Sequence, residues 1–145
     1  MYHLVYISQA RENMTLTTLV VLLMQARALN ERHHVTGALV YGDGQFMQVM
    51  EGEEAVVKDL YARVAKDARH YDVRTLAEGP IATRSFAQWS MAFGEVAADQ
   101  FEVLRRVAEY QTPAQMAGQL AGNRATDEQL LAKMKDLVQA HAQEN

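Results

Sequence analysis

The feature that most constrains the fold is a Gly-Asp-Gly sequence at residues 42–44, which has strand-like runs on both sides. The run before it, VTGALVY, covers residues 35–41, and the run after it, FMQVM, covers residues 46–50. Short β-rich runs joined by such a turn sequence are typical of a β-hairpin. We therefore predict two adjacent antiparallel strands near the middle of the chain.

Gln48 is an unexpected residue in the second of these strands, because Phe46, Met47, Val49 and Met50 around it are all apolar. A primary amide carries donors and an acceptor that all need partners. Leaving one of them unmatched in a protein interior costs on the order of 1–3 kcal/mol. The sequence therefore indicates that Gln48 has a specific polar partner.

The remaining periodicity predicts an α/β fold. Strands are expected at residues 3–8, 35–41, 46–50, 73–76 and 86–93, and helices at residues 15–30 and 53–68. Both helices connect strands of one sheet, and right-handed connections would place them on the same face. The order β-α-β-β-α-β-β predicts a ferredoxin-like sandwich with two helices on one face of the sheet.

The first helix is expected to begin after Thr15 as its N-cap. Its predicted buried stripe recurs at three and four residues and consists of Leu16, Leu19, Val20, Leu23 and Arg27. Asn30 lies on the same stripe, as a polar residue on the core side of the helix.

After about residue 96 the pattern changes to helices only, so we divide the chain into an α/β domain at 1–95 and a helical extension at 96–145. Helices are expected at 99–111, after Thr112-Pro113, and after a capping box at 126–129. The sheet face opposite the first two helices would carry Val5, Ile7, Met47 and Val49. The helical extension or a second subunit would cover that face.

Composition excludes several classes of protein. The net charge is −4 with scattered basic residues, which argues against a nucleic-acid partner. The chain has no cysteine, so disulfides, thiolate metal sites and a cysteine nucleophile are excluded. The five histidines show no metal-ligand spacing, and we expect no metal site. The longest apolar run, 16–24, is too short to span a bilayer, and with no signal peptide apparent we expect a soluble, cytoplasmic protein.

Polar residues on four elements point toward one space between the helices and the sheet. Arg63 and Asp67, four residues apart, would in isolation be interpreted as a surface ion pair on the second helix. Tyr6, Asn30 and Gln48 come from three other elements and are expected to face the same space. An apolar pocket with a few convergent polar groups is suited to a flat, partly polar ligand.

Five ordered segments carry a family resemblance: LVYIS at 4–8, Asn30 followed by VTGAL at 35–39, FMQVMEG at 46–52, RVAKDARH at 63–70 and RSFAQWSM at 84–91. Together they resemble the BLUF family, which are blue-light sensors that use flavin. The resemblance runs from about residue 2 to residue 93 and leaves out the helical extension.

The resemblance implies a flavin, FAD or alternatively FMN, with its ring held between the two helices. Tyr6 would exchange an electron and a proton with the excited flavin, and Gln48 would bond to both Tyr6 and the N5/O4 edge of the ring. Asn30 would hold the imide edge. The other cofactor-binding residues that it implies are Ser8, Arg63, Asp67, Arg69 and His70.

Trp89 and Met91 are predicted to share one face of the last strand, and the resemblance links them to signal transmission. A rearrangement of Gln48 would change their contacts and so the helical extension or a subunit interface. The resemblance implies a photoreceptor. Because the extension has no catalytic motif, we expect it to act on a separate effector or regulator protein and not as an enzyme. The uncovered sheet face and the apolar side of the extension lead us to expect a homo-oligomer. The alternatives are a flavin-dependent redox protein and an interaction module without a cofactor.

Overall fold

The structure is a computed structural model that describes residues 1–12, 14–109 and 125–144 of the chain. Over these residues it contains five strands and four helices. The strands are β1 (Tyr2–Ala10), β2 (Thr36–Gly42), β3 (Gln45–Gly52), β4 (His70–Pro80) and β5 (Ala92–Glu95). The helices are α1 (Leu16–Arg32), α2 (Glu54–Ala65), α3 (Ala98–Glu109) and α4 (Ala125–Glu144). The short helix expected after Thr112-Pro113 lies outside the described residues.

The five strands form one sheet in the order β4-β1-β3-β2-β5. Strand β1 is antiparallel to both β3 and β4, β2 is antiparallel to β3, and β5 runs parallel to β2. Asp43 and Gly44 join β2 to β3 with φ values of 52° and 67°, as a two-residue hairpin of the primed type requires. The predicted hairpin and the predicted ferredoxin-like arrangement are both confirmed.

Each face of the sheet has its own apolar core. On one face, α1 and α2 bury Leu19, Leu23, Val57 and Leu60 against residues of the strands. On the opposite face, the strand residues expected to be uncovered pack with α3 and α4. The buried residues on that second face include Val5, Ile7, Met47, Val49, Phe101, Leu104, Leu130, Leu131, Met134, Leu137 and Val138. The helical extension therefore covers the face that the sequence left open.

The predicted stripe of α1 is partly wrong. Thr15 is the N-cap, and its Oγ1 accepts a hydrogen bond from the Thr18 N–H at 3.2 Å. Leu19, Leu23 and Asn30 are buried as expected. Leu16 and Val20, however, are 76% and 46% exposed. Leu16 and Val20 therefore face solvent, and Leu22, Ala26 and Leu29 pack against the core on this side of α1.

The last strand begins later than predicted, at Ala92 instead of residue 86. The preceding residues turn, because the Trp89 N–H donates to the carbonyl of Phe86 at 3.0 Å. Trp89 and Met91 consequently do not share a strand face. Trp89 packs on the core beneath α3 and α4, whereas Met91 is buried on the side of α1.

Among the described helices, none combines the length and the apolar character that crossing a bilayer requires.

Candidate functional site

A cavity of about 280 Å³ lies between α1, α2 and the sheet. Seven of the eight residues that the sequence predicted as cofactor-binding line it, and Ser8 is the exception. The lining consists of Tyr6, Leu22, Gln25, Ala26, Leu29, Asn30, Leu39, Phe46, Gln48, Leu60, Arg63, Val64, Asp67, Arg69 and His70. The walls are therefore mainly apolar, with a few polar groups from five elements, as small-molecule pockets commonly are.

Tyr6 and Gln48 meet at the floor of the cavity because they lie directly opposite each other on β1 and β3. Both side chains are buried, and the Tyr6 hydroxyl donates to Oε1 of Gln48. At the other end of the amide, Nε2 of Gln48 lies 3.7 Å from the sulfur of Met91. A thioether is a weak acceptor. A ligand that offered a carbonyl or a ring nitrogen would therefore bind this end of the amide better.

The environment of Tyr6 keeps its hydroxyl protonated. Burial raises the pKa of Tyr6 well above its usual range, and Tyr61 and Asp67 raise it further. The ring of Tyr61 lies 5.5 Å from that of Tyr6, between centroids, and so excludes water from this side. Tyr6 is consequently a hydrogen-bond donor to Gln48 over the whole neutral and mildly alkaline range.

This protonation predicts a specific response to pH. An unfolded Tyr6 ionises near pH 10.0, whereas the buried residue stays neutral. Its contribution to stability is full below that pH and is lost as the pH rises above it. Urea unfolding on both sides of pH 10 should show a steeper alkaline loss for the wild type than for Tyr6→Phe. Equal alkaline slopes in the two proteins would contradict the assignment.

Asn30 lies in the last turn of α1 and connects the cavity to the segment before β5. Its side chain is buried, and Nδ2 donates to the carbonyl of Ser90 at 2.6 Å. One turn earlier, Nε of Arg27 donates to the carbonyl of Met91 at 3.0 Å. These two hydrogen bonds attach residues 90–91 to helix α1 beside the cavity.

His70 closes the cavity near the beginning of β4. Its Nε2 lies 2.6 Å from the carbonyl of Val64, and since a carbonyl can only accept, Nε2 carries a proton. Nδ1 lies 2.8 Å from Oγ of Ser8. Ser8 therefore does not line the cavity, and instead orients the His70 ring that does.

The charged residues at the rim pair with other neighbours and not with each other. Asp67 lies beyond the end of α2 and binds Arg69 at 2.5 Å, while Arg63 lies 3.5 Å from Asp59. Arg63 and Asp67 therefore do not form the surface ion pair that their spacing alone would indicate, and both line the cavity as expected. The Arg69 guanidinium holds the pKa of the Asp67 carboxyl below its usual range. Arg69 also donates to Oε1 of Gln25 at 2.9 Å and so links α1 to the beginning of β4.

Sequence reasoning missed the apolar lining. Leu22, Ala26 and Leu29 are spaced by four and three residues on α1, so the helical period contained the signal for a second stripe. Phe46 lies two residues before Gln48 on the same strand and hence on the same face. The spacing of these residues could have indicated that they face the interior, but not that they line the same cavity.

Comparison with known proteins identifies relatives that match this chain over more than half of its length. The β subunit of the photoactivated adenylate cyclase from Euglena longa is 36% identical over 89 residues, which are 61% of this chain and 10% of that protein. The chain thus spans about a tenth of the length of this curated relative.

Two solved structures share the fold. The photo-activated state of BlsA superposes with a TM-score of 0.70 at 26% identity, and the match covers 94% of each chain. The dark-state structure of the BLUF protein BlrB superposes with a TM-score of 0.64 at 26% identity, over 80% of this chain and 89% of that one.

The family described as sensors of blue light using FAD matches residues 1–92, which include β1 to β4, the first residue of β5 and the whole lining of the cavity. The chain belongs to the BLUF family of blue-light-sensing flavin domains.

Proposed function

We propose that the cavity holds the isoalloxazine ring of FAD and that light acts through Tyr6 and Gln48. The observation that carries this proposal is the Tyr6–Gln48 hydrogen bond at the cavity floor, with the second end of the amide open to a better acceptor than sulfur. Bound flavin would supply the absorption of blue light and, on excitation, an acceptor for an electron and a proton.

Different groups of lining residues would bind different parts of the flavin. The apolar residues of α1, α2 and the strands would enclose the two faces of a flat ring. Asn30 would offer its amide to the imide edge of the ring, and His70 would contact another part of it. Arg63, Asp67 and Arg69 at the rim would face the ribityl end. A cavity of about 280 Å³ leaves no room for a whole dinucleotide, so the adenosine part of FAD would lie outside it.

Gln48 is the part of the site that can hold two arrangements. In the structure its oxygen faces Tyr6 and its nitrogen faces Met91. Turning or tautomerising the amide exchanges donor and acceptor without moving the strand. A changed hydrogen bond at the flavin carbonyl would shift the absorption spectrum to the red, and the original arrangement would return in the dark.

The output would pass to a separate effector or regulator protein. We propose that residues 1–95 sense light and that the helical extension, 96–145, presents the change to a partner or to a second copy of the chain. Helices α3 and α4 pack on the face of β2, β3 and β5 opposite the cavity, whereas β3 carries Gln48 on the cavity face. This supports the proposal, because the same strand contacts both the site and the extension. The chain itself would then have no enzymatic activity.

The test is an absorption spectrum of the purified protein, taken in the dark and then under blue light. We expect a flavin spectrum that shifts to the red and recovers in the dark, and FAD in the extract after denaturation. FMN in the extract would correct the cofactor but not the mechanism. A static flavin spectrum would reject the switch, and oxidation of reduced nicotinamide would favour a redox protein.

A further inference from the structure

Glu51 is a fully buried carboxylate that takes no part in the cavity. It lies near the end of β3, opposite Thr36 on β2, and its side chain is 0% exposed. Its oxygens accept hydrogen bonds from the N–H of Ser85 at 2.6 Å, the N–H of Phe86 at 2.9 Å and the hydroxyl of Thr36 at 3.0 Å. A buried carboxylate is tolerated only with such compensation. Two of its three donors are backbone groups of the segment between β4 and β5.

Arg84 reinforces the same attachment. Its guanidinium donates to Oγ1 of Thr36 at 2.9 Å, to the carbonyl of Glu51 at 3.1 Å and to the carbonyl of His34 at 2.8 Å. Residues 84–86 are therefore fixed to the end of the β2–β3 hairpin by side-chain and backbone bonds together. We call residues 84–91 the linking loop.

The far end of the linking loop lies at the cavity. The carbonyl of Trp89 accepts from the Gly37 N–H at 3.1 Å, at the edge of the sheet. The next two residues bind α1 through Asn30 and Arg27, and the sulfur of Met91 contacts Gln48. The loop thus passes from one face of the sheet to the other.

Phe86 and Trp89 connect the loop to the helical extension. Phe86 is fully buried in the core that α3 and α4 share with the sheet, and Trp89 packs against that core. The two rings lie 6.2 Å apart between centroids. One short segment therefore contacts Gln48 at one end and the core beneath α4 at the other.

We propose that Glu51 is a positioning residue that anchors the linking loop and thereby couples Gln48 to the helical extension, an inference that rests on the proposed function. Because Ser85 and Phe86 are fixed, the linking loop cannot shift as a whole when Gln48 displaces Met91. It has to appear at Trp89 and in the core under α4. Without these hydrogen bonds the linking loop would deform locally, and the change at Gln48 would no longer alter the helical extension.

The test compares Glu51→Gln with Thr36→Val in the full-length, flavin-loaded protein. Glutamine keeps the shape but turns an NH₂ group toward one of the two loop amides, so it breaks the anchor. Valine removes one hydrogen bond from the same carboxylate and one of the three acceptors of Arg84 but leaves both loop amides bound, and is the matched control. The readouts are hydrogen exchange at residues 85–86, the red shift, and the light-minus-dark change in exchange at residues 130–138. Fluorescence of Trp89, the only tryptophan, follows the loop independently.

In Glu51→Gln we expect the loop amide that faces the new NH₂ group, either that of Ser85 or that of Phe86, to exchange about tenfold faster, as for one lost hydrogen bond. The red shift should keep its size, while the light-induced change in α4 falls about three- to tenfold. Thr36→Val should keep both the shift and the change in α4. If Glu51→Gln does not fold, Arg84→Met removes the more exposed part of the anchor, and the same loss of coupling is expected in smaller size.

Two results would overturn the inference. One is a full light-induced change in α4 despite faster exchange at residues 85–86. The other is an equal loss of coupling in Thr36→Val, which would indicate general destabilisation. A wild-type protein without any red shift would instead reject the proposed function itself, so the two failures are distinguishable.

Discussion

Tyr6→Phe is expected to bind flavin as the wild type does but to show no reversible red shift under blue light. Phenylalanine fills the same buried space, so the cavity keeps its shape. It lacks the hydroxyl that donates to Oε1 of Gln48 and that would supply the electron and the proton. Because Oε1 of Gln48 stays buried without this donor, the unfolding free energy should fall by on the order of 1–3 kcal/mol. Dark and illuminated absorption spectra, with the flavin content per chain, check both parts.

Tyr41→Phe is the matched control for this experiment. Tyr41 is also a buried tyrosine on a central strand and packs on Phe46 with 5.0 Å between ring centroids. Its hydroxyl accepts from the Met14 N–H at 3.3 Å and makes no contact with Gln48. The control should keep the full shift. A Tyr6→Phe protein that still shifts and recovers would show that the photochemistry does not depend on this hydroxyl.

Gln48→Leu is expected to abolish the shift and also to reduce stability. Leucine removes the amide that could exchange its donor and acceptor ends. It also leaves the Tyr6 hydroxyl buried without the acceptor seen in the structure. An unmatched buried hydroxyl costs on the order of 1–3 kcal/mol, so the unfolding free energy should fall by that amount. Denaturant unfolding of the flavin-free protein measures this cost apart from the loss of the shift.

The control for Gln48→Leu lies on the same strand. Gln45 is buried to a similar degree, with 7% exposed against 6% for Gln48, but lies three residues earlier and so on the opposite face. Its Oε1 accepts from Nε2 of Gln9 at 3.3 Å. Gln45→Leu should keep the red shift. Loss of the shift in both variants would mean that strand packing, and not the Gln48 amide, determines the response.

Much of the fold could be predicted because the relevant signals are local. The Asp43-Gly44 pair favours a primed hairpin turn independently of distant residues. Alternation along β1 and β3 places Tyr6 and Gln48 on the sheet face that α1 and α2 cover. The N-cap at Thr15 is likewise a property of a short segment. With β1 and β3 paired, the register alone brings Tyr6 against Gln48.

The segment before β5 could not be predicted in the same way. Residues 86–91 have the composition of a strand, but the bonds of Glu51 and Arg84 fix the beginning of this segment to a distant hairpin. A turn at Phe86 and Trp89 follows, so Trp89 and Met91 lie on opposite sides of the sheet. Such contacts join residues more than thirty positions apart, as the 35 positions between Glu51 and Phe86 illustrate. No local pattern records them.

Periodicity and turn chemistry act between near neighbours, so the ferredoxin-like sandwich, the family and every polar residue of the cavity except Gln25 could be predicted from the sequence. The tertiary structure decided which charged residues pair at the rim, that Ser8 supports His70 instead of lining the cavity, and that the helical extension covers the second face. It also decided the role of Glu51. These outcomes depend on where a helix ends, on which segments meet across the sheet, and on the need of each buried polar group for a partner.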